Sequence, residues 1–396
     1  MSTQPAPAGM AVAVDGRYVR RPGMGIHRYL QQVIRLLLES GAEVTLLTNF
    51  PADEFAEGYP GVGWLTASIR YNILWEQVYL PRLLVRQGFD IYWAPANMGI
   101  PFWGIGRTLS VWTLHDVAPV KLPRMYLWGR PRFAGPYLVW TSAGLLRSEV
   151  IFTDSRASAR DVRALSRRTA IVAPPVWYKD DFGPVPGDSE SSAQASGLVS
   201  PECRYLLYNG GRDPRKNLPR LLEAFRLVID RDPGLFLVLM GKGYEALARL
   251  CEDLGIADNV ILTGYVSEAI KSEMLRRATA LVYPSLYEGY GLPILEAFAH
   301  GTPVIAARNS SLPEIAGDAA LYVDARDPRS IAEAMLEVQE SDVQARLSEA
   351  GAARWSAYDA HTVRASVVEQ LVRASKRKAA RELGRKTITG ARYART

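Results

Sequence analysis

Two glutamates, Glu288 and Glu296, stand eight positions apart and enclose a turn that contains two glycines. Gly289 and Gly291 allow the backbone of this turn to approach a ligand closely. Pro293 suits the first turn of a helix, where its missing N–H has no cost. The spacing therefore predicts two carboxylates beside a loop whose backbone N–H groups are open to a ligand.

The elements around this turn are a predicted strand and a predicted helix. Residues 280–285 favour a strand that ends at Ser285, whose hydroxyl is placed to form a hydrogen bond nearby, and the apolar residues after Pro293 favour a buried helix up to Gly301. A strand, a glycine loop and a helix N-terminus direct backbone N–H groups and the positive end of the helix dipole at an anion. The alternative is that both glutamates are ordinary solvated carboxylates, which the glycine loop and the preceding strand disfavour.

The segment resembles the Glu-x7-Glu motif of retaining glycosyltransferases of the GT-B architecture, in the branch that adds mannose, glucose or rhamnose to bacterial surface polysaccharides. The resemblance implies that Glu296 accepts hydrogen bonds from the donor ribose and that Glu288 binds hydroxyls of the transferred sugar. It also implies that the N–H groups of Tyr290, Gly291 and Leu292 meet the sugar or the phosphate. It is strongest over about 205–325 and thin over 50–105 and 120–200.

A basic loop, residues 209–217, follows the predicted strand Tyr205–Tyr208. A nucleotide sugar carries a diphosphate, whose charge either a metal or cationic side chains with backbone N–H groups can stabilise. The chain has no Asp-x-Asp pair in a plausible loop to hold a metal. Cationic side chains and backbone N–H groups are therefore expected to stabilise the diphosphate, with no metal and no cofactor. By resemblance, Arg212 and Lys216 contact the diphosphate beside Gly211, and Arg215 is expected to be a surface or packing residue.

Two further glycine segments are candidate donor contacts. Gly241 and Lys242 end another strand, where a simple tight turn is an equal alternative to nucleotide binding. In relatives a loop such as residues 21–29 lies against the diphosphate, and Gly23 and Gly25 supply its open backbone. His27 stands where a glycine is usual.

A His-Asp pair, His115 and Asp116, ends the predicted strand Thr108–Leu114. A histidine at a strand end can position a sugar or a phosphate, and Asp116 can orient the ring or touch an acceptor hydroxyl. The alternative is a structural histidine. Residues 310–320 resemble a stretch common in the same family and are expected to form a helix start and a packing turn.

The chain alternates strands and helices, which predicts an α/β fold with two Rossmann-like domains that face each other across a cleft. The Gly-, Pro- and Ser-containing stretch near 181–201 has linker composition. The predicted domains are an acceptor-binding domain over 1–180, a linker over 181–201, a nucleotide-sugar-binding domain over 202–360, and a final helix with a basic tail over 361–396. By the GT-B resemblance, the final helix packs on the first domain.

Composition limits the cellular compartment and the partners that are expected for the protein. Two cysteines without a disulfide pattern fit a reducing cytoplasm, and the chain contains no stretch of about 20 apolar residues that would span a membrane. Residues 373–396 carry nine Lys or Arg and one Glu, a local charge of +8 against +6 for the whole chain, so the rest carries about −2. This tail is either a solvated segment or a contact with an anionic membrane. Nucleic acid is a poorer partner, because the body of the chain is not basic.

Seven of the nine tryptophans lie between Trp64 and Trp140. They favour core packing, with a surface for a lipid-linked acceptor as the alternative. The sequence therefore predicts a retaining, metal-independent transferase that moves a hexose to a lipid-linked glycan at the inner face of the membrane. The first choice of donor is GDP-mannose, which supplies mannose. A sugar-nucleotide epimerase of the same shape and a non-catalytic nucleotide-sugar-binding protein are the alternatives.

Overall fold

A computed structural model of the chain describes residues 9–20, 25–177 and 189–393, and of these it gives the backbone alone for 189–191, 245, 379 and 381–393. Gly23, predicted to bind the donor, lies outside the described residues. So do positions 181–188 of the predicted linker and positions 394–396 of the predicted tail.

All strand pairs recorded in the described chain are parallel. The strands are β1 (Ala11–Asp15), β2 (Glu43–Thr48), β3 (Gly63–Thr66), β4 (Ile91–Ala94), β5 (Leu109–Thr113), β6 (Val150–Thr153), β7 (Ile171–Val172), β8 (Arg204–Asn209), β9 (Leu235–Met240), β10 (Val260–Gly264), β11 (Ala280–Tyr283), β12 (Val304–Ala307) and β13 (Leu321–Val323).

Helices connect these strands and close the chain. They are α1 (Gly25–Glu39), α2 (Asn72–Leu74), α3 (Leu80–Gln87), α4 (Ala118–Lys121), α5 (Pro131–Arg147), α6 (Arg156–Ser166), α7 (Ser189–Leu198), α8 (Leu218–Ile229), α9 (Glu245–Asp253), α10 (Glu268–Arg277), α11 (Leu292–Ala299), α12 (Leu312–Ala316), α13 (Pro328–Glu337), α14 (Ser341–Ser356) and α15 (Ala360–Tyr393).

The described residues form two compact units, each around one sheet. The first unit holds the chain up to Val120, Tyr126–Trp177 and the chain from Ala360, and the second holds Lys121–Met125 and the described chain from 189 to Asp359. The strand orders are β3-β2-β1-β4-β5-β6-β7 and β10-β9-β8-β11-β12-β13. Each sheet therefore has one point, β1/β4 or β8/β11, where the strand order reverses, and open α/β sheets bind ligands at the carboxyl ends of such strands. The predicted fold of two parallel Rossmann-like α/β domains is confirmed.

Sequence patterns mark the central strands and the helices beside them. The apolar run Leu235–Met240 is β9, and the amphipathic run Leu218–Ile229 is α8. Strands covered by helices on both sides are continuous apolar runs. Ser155 caps α6, since its side chain accepts a hydrogen bond from the Ser158 N–H.

One element contradicts a prediction, and another was not predicted. Helix α7 lies inside the segment predicted as a linker, where Ala195 and Val199 are buried and Arg277 donates a hydrogen bond to the Val199 carbonyl at 2.9 Å. Helix α5 has apolar residues on all sides, so it lacks the one-sided pattern that identifies a surface helix. Gly144 allows α5 to approach β5, because a Cβ there would lie 2.6 Å from the Trp112 ring.

The last helix, α15, packs on the first unit. Arg364 forms an ion pair with Glu39 of α1, and Lys378 Nζ donates hydrogen bonds to Thr108 O and Glu149 Oε2, both at 2.7 Å. No helix in the described part of the chain is long and apolar enough to cross a bilayer.

Candidate functional site

The glycine turn between the two glutamates follows β11 and opens α11, as predicted. Gly291 caps the helix with a φ of 121°, a conformation that favours glycine. A Cβ at this position would also lie 2.9 Å from Leu312 Cδ2. The apolar residues of α11 that follow are buried, including Ile294, Ala297 and Phe298. The turn is thus held in one conformation by its backbone and by packing.

Two serines of the loop after β12 support this turn from behind. Ser311 Oγ donates hydrogen bonds to Glu288 O at 3.0 Å and Tyr290 O at 2.6 Å, and Ser310 Oγ accepts one from the Glu288 N–H at 2.9 Å. Ser310 has a φ of 50°, which is uncommon for a residue with a side chain. The segment predicted to be a packing turn therefore orients Glu288. Ser285 is also fully buried beside it, and its carbonyl accepts a hydrogen bond from Asn309.

Glu288 lies in a buried group of opposite charges. Its Oε1 accepts a hydrogen bond from Lys216 Nζ at 2.7 Å, and its Oε2 forms an ion pair with the Arg215 guanidinium. The exposed fractions of the three side chains are only 6%, 12% and 19% for Glu288, Lys216 and Arg215. Arg215, expected to be a surface or packing residue, is one of the two cations that hold Glu288.

The charge state of this group follows from its surroundings. Burial by itself would raise the pKa of Glu288, but Arg215 and Lys216 outweigh it and hold that pKa at about 2. Burial lowers the pKa of Lys216, an effect that Glu288 opposes and Arg215 reinforces. Glu288 is therefore an anion throughout the physiological pH range.

The loop before α8 places both cations by local hydrogen bonds. Asp213 caps a short 3-10 turn, Pro214–Lys216, by accepting from the Arg215 N–H. Asn217 then adopts a left-handed conformation with φ 65°, and its Nδ2 donates to Pro284 O at 3.0 Å and Ala325 O at 2.6 Å. These contacts join the loop at the end of β8 to the end of β11.

Glu296, the second glutamate, lies on α11 and is 2% exposed. Its Oε1 accepts a hydrogen bond from Lys271 Nζ of α10 at 2.7 Å, and its Oε2 accepts one from Asn209 Nδ2, at the end of β8, at 2.8 Å. Both glutamates are therefore buried, paired carboxylates, and the solvated alternative is wrong.

The remaining predicted donor residues of this unit lie at the ends of β8 and β9. Arg212 is exposed and donates to the Gly243 carbonyl at 3.3 Å, and Lys242 Nζ lies 4.6 Å from the centre of the Tyr265 ring. Gly241 has a φ of 149°, and a Cβ there would lie 2.1 Å from Gly210 O. The carbonyl of Gly211 accepts a hydrogen bond from the Tyr208 hydroxyl at 3.1 Å.

The first unit has its own polar group at the end of β5. His115 Nδ1 lies 2.8 Å from Asp154 Oδ2, and its Nε2 lies 2.9 Å from Pro95 O. A carbonyl oxygen and a carboxylate both accept hydrogen bonds, which favours a proton on each ring nitrogen. Burial opposes this charge, but Asp154 and Pro95 outweigh it and raise the pKa of His115 to about 8. Asp116 caps α4 by accepting from the Ala118 N–H at 3.0 Å.

The other predicted residue of this unit, Gly25, is the first residue of α1, with open space where a Cβ would be. His27 Nε2 lies 3.1 Å from the Tyr59 hydroxyl. Within the described residues, no cluster of three or more His, Cys, Asp or Glu side chains is placed to hold a metal ion.

Two family models match the chain, one in each half. Residues 192–354 match "Glycosyl transferases group 1", and residues 24–176 match "Glycosyltransferase Family 4". Residues 192–354 therefore form a group 1 glycosyltransferase domain, and residues 24–176 form a family 4 glycosyltransferase domain. The match to the first family contains both glutamates, the Arg215–Lys216 loop and Lys271.

Relatives of this glycosyltransferase come from several bacteria. It is 29% identical over 350 residues to the O-antigen chain mannosyltransferase B of Escherichia coli, across 82% of this chain and 89% of that protein. It is 28% identical over 379 residues to the D-inositol 3-phosphate glycosyltransferase of Thermobispora bispora, across 84% and 86%. The crystal structure of Anabaena HepE in complex with UDP and glucose superposes with a TM-score of 0.73 at 17% identity, over 91% of this chain and 99% of that one. This last likeness shows the GT-B fold alone.

Three functional candidates of the glycosyltransferase were not identified from sequence, because each meets its partner through the fold. Arg215, Lys271 and Asp154 are separated from Glu288, Glu296 and His115 by 73, 25 and 39 positions. The Arg-Lys pair beside a strand end was the available signal for Arg215. No sequence signal marks Lys271 or Asp154.

The buried His115–Asp154 pair predicts a pH-dependent stability. The pKa of His115 is raised to about 8 in the folded protein from an ordinary 6.5, so its contribution is fully present below pH 6.5 and is lost as the pH rises through about 8. We expect the free energy of unfolding of the wild type, relative to that of His115→Asn, to fall by about 2 kcal/mol over this interval. Urea unfolding at a series of pH values measures it. The matched control is His361→Asn, an exposed histidine, and parallel profiles for wild type and His115→Asn would contradict the prediction.

Proposed function

We propose that this glycosyltransferase moves a hexose, mannose in the first instance, from a nucleoside diphosphate sugar to a glycan carried on a lipid, with retention at the anomeric carbon. The observation that carries the proposal is the buried Glu288 held between Lys216 and Arg215 beside the N-terminus of α11. This arrangement brings a carboxylate for the sugar, two cations from a distant loop and the N-terminus of a helix together in space. Those are the groups that a departing diphosphate and its sugar require.

In the proposed reaction, an acceptor hydroxyl oxygen forms a bond to the anomeric carbon as the bond from that carbon to the phosphate oxygen breaks. The leaving diphosphate takes the hydroxyl proton on the same face of the sugar. Lys216 and the backbone N–H groups at the start of α11 stabilise the charge that develops on the phosphate. An ammonium has three donors, and Lys216 directs two of them to Glu288 and Tyr283. The third is the donor that we assign to the phosphate.

We assign Glu288 to hydroxyls of the transferred sugar and Glu296 to the ribose. Ionised carboxylates are strong hydrogen-bond acceptors for hydroxyl groups, and the pKa of about 2 keeps Glu288 in that form. Because Lys216 and the backbone N–H groups at the start of α11 stabilise the phosphate charge in this scheme, we propose that transfer requires no metal ion.

We propose GDP-mannose as the donor, supported by the name of the E. coli mannosyltransferase relative. A lipid-linked acceptor and a peripheral position at the inner face of the membrane are part of the same proposal. Helix α5 supports it, since no charged residue lies between Arg132 and Arg147 and the side chains of Phe133, Val139 and Leu146 are 50%, 49% and 81% exposed. Such an apolar helix surface flanked by arginines suits a lipid-water interface.

Release of nucleoside diphosphate from a panel of GDP-, UDP- and dTDP-sugars tests this function, with lipid-linked acceptors and with or without EDTA. We expect release from one donor, dependent on an acceptor and unchanged by EDTA, and an α-linked product by NMR. Loss of activity in EDTA would overturn metal independence. An epimerised sugar without transfer would identify an epimerase, and tight nucleotide binding without release from any donor would favour a binding protein.

A further inference from the structure

Lys271 of α10 is a buried lysine whose charge is directed at Glu296. Its side chain is 11% exposed, and its Nζ lies 2.7 Å from Glu296 Oε1, whose side chain is 3% exposed. Its second partner, Glu268 Oε2 at 2.6 Å, is 55% exposed and therefore mostly hydrated. The short, desolvated contact is the one with Glu296, and removal of one partner from such a buried pair leaves an uncompensated charge.

Glu296 is held at both oxygens by groups from two other elements. Lys271 on α10 contacts Oε1, and Asn209 at the carboxyl end of β8 contacts Oε2 at 2.8 Å. One contact on each oxygen fixes the plane of the carboxylate, while an ionised carboxylate has acceptor capacity for about four hydrogen bonds. Lys271, together with Asn209, therefore fixes the orientation with which Glu296 meets a ligand.

We propose that Lys271 is the positioning residue for Glu296 and that the pair makes the nucleotide site select ribonucleoside diphosphates over 2′-deoxyribonucleoside diphosphates. The inference rests on the proposed function, in which Glu296 binds the ribose. A fixed, ionised carboxylate accepts hydrogen bonds from the neighbouring 2′ and 3′ hydroxyls together. A 2′-deoxyribose offers one hydroxyl and leaves a buried charged acceptor without that bond, which lowers affinity by about 10- to 100-fold.

The experiment is calorimetric titration of GDP, 2′-deoxy-GDP, UDP and 2′-deoxy-UDP into wild type and Lys271→Met. The wild type is expected to bind its preferred ribonucleotide about 10- to 100-fold more tightly than the deoxy form. In Lys271→Met this ratio is expected to fall below about 3-fold, because ribonucleotide affinity drops and deoxyribonucleotide affinity does not. Lys271→Arg, which restores a cationic donor, is expected to recover most of the ratio. Lys378→Met, at a lysine paired with Glu149 in the other unit, is the matched control and is expected to keep it.

Each other result overturns the inference. An unchanged ratio in Lys271→Met removes Lys271 from positioning, and a parallel loss of both nucleotide forms shows a purely structural lysine. Equal binding of ribo and deoxy forms by the wild type excludes the ribose contact. If Lys271→Met does not fold, Lys271→Gln replaces it, because glutamine keeps a hydrogen-bond donor without the charge. Lys271→Gln is expected to show an intermediate ratio of ribonucleotide to deoxyribonucleotide affinity. A ratio equal to that of the wild type would count against the inference.

The titrations use no acceptor and involve no turnover. A failure of the Lys271 inference therefore leaves donor-dependent release intact, whereas a protein that binds none of the four nucleotides would lose the proposed function as well.

Discussion

Replacement of Glu288 by glutamine is expected to lower the turnover number for sugar transfer at least ~100-fold, which corresponds to about 2.7 kcal/mol of transition-state stabilisation. Glutamine has nearly the same shape, but it removes the negative charge between Lys216 and Arg215. Two buried cations would then lack their shared counter-charge, and the sugar would lose an ionised acceptor. The measurement is the initial rate of nucleoside diphosphate release with donor and acceptor saturating.

The matched control for this variant is Glu273→Gln. Glu273 is also mostly buried, with 10% of its side chain exposed, and it pairs with Arg276 on α10. The Glu273→Gln substitution is expected to change the rate by less than ~3-fold, because the Glu273–Arg276 ion pair lies outside the site. If Glu288→Gln retained more than about a tenth of wild-type turnover, the assignment of Glu288 to the transferred sugar would be wrong.

Replacement of Lys216 by methionine is expected to lower transfer by about 10²–10³-fold, the usual effect of removing one preorganised donor from a site that stabilises developing charge. Methionine fills much of the same space but leaves Glu288 with Arg215 as its one remaining cation in the group. The loss is expected mainly in the turnover number, because phosphate charge grows as the sugar departs.

A second substitution separates charge from geometry at this position. Lys216→Arg keeps the charge but cannot keep the ammonium contacts with both Glu288 and Tyr283, so a partial recovery is expected. Lys378→Met serves as the control lysine. A loss confined to the Michaelis constant for the donor, with normal turnover, would show that Lys216 contributes to binding alone.

These two predictions concern one ion group whose parts the chain supplies from distant segments. Lys216 and Glu288 are 72 positions apart, and they meet because β8 and β11 are neighbours at the point where the strand order reverses. At such a point the loops from two adjacent parallel strands diverge and leave room for a ligand. The glycine turn, the basic loop and Glu296 all come from elements that end or begin there.

The sequence by itself determined the fold class and the main anchors of the site. Alternating apolar runs and amphipathic helices predict parallel sheets, and both are present over segments such as Leu235–Met240 and Leu218–Ile229. The Glu288–Glu296 spacing, the glycines between them and Lys216 were visible because they lie in two short segments of the sequence, and the backbone of the turn requires Gly291. Helix α5 was missed because it lacks a polar face and therefore has no periodic pattern of apolar and polar residues.

The tertiary structure alone decided which charges pair. Arg215 was expected to be a surface or packing residue but forms an ion pair with Glu288. Lys271 compensates Glu296 from a neighbouring helix, and Asp154 pairs with His115. A buried ion pair depends on distance and desolvation, and neither is encoded in the spacing of residues on different strands and helices. The sequence thus specifies the carboxylate of Glu288, but only the packed sheet determines its orientation and the cations that it meets.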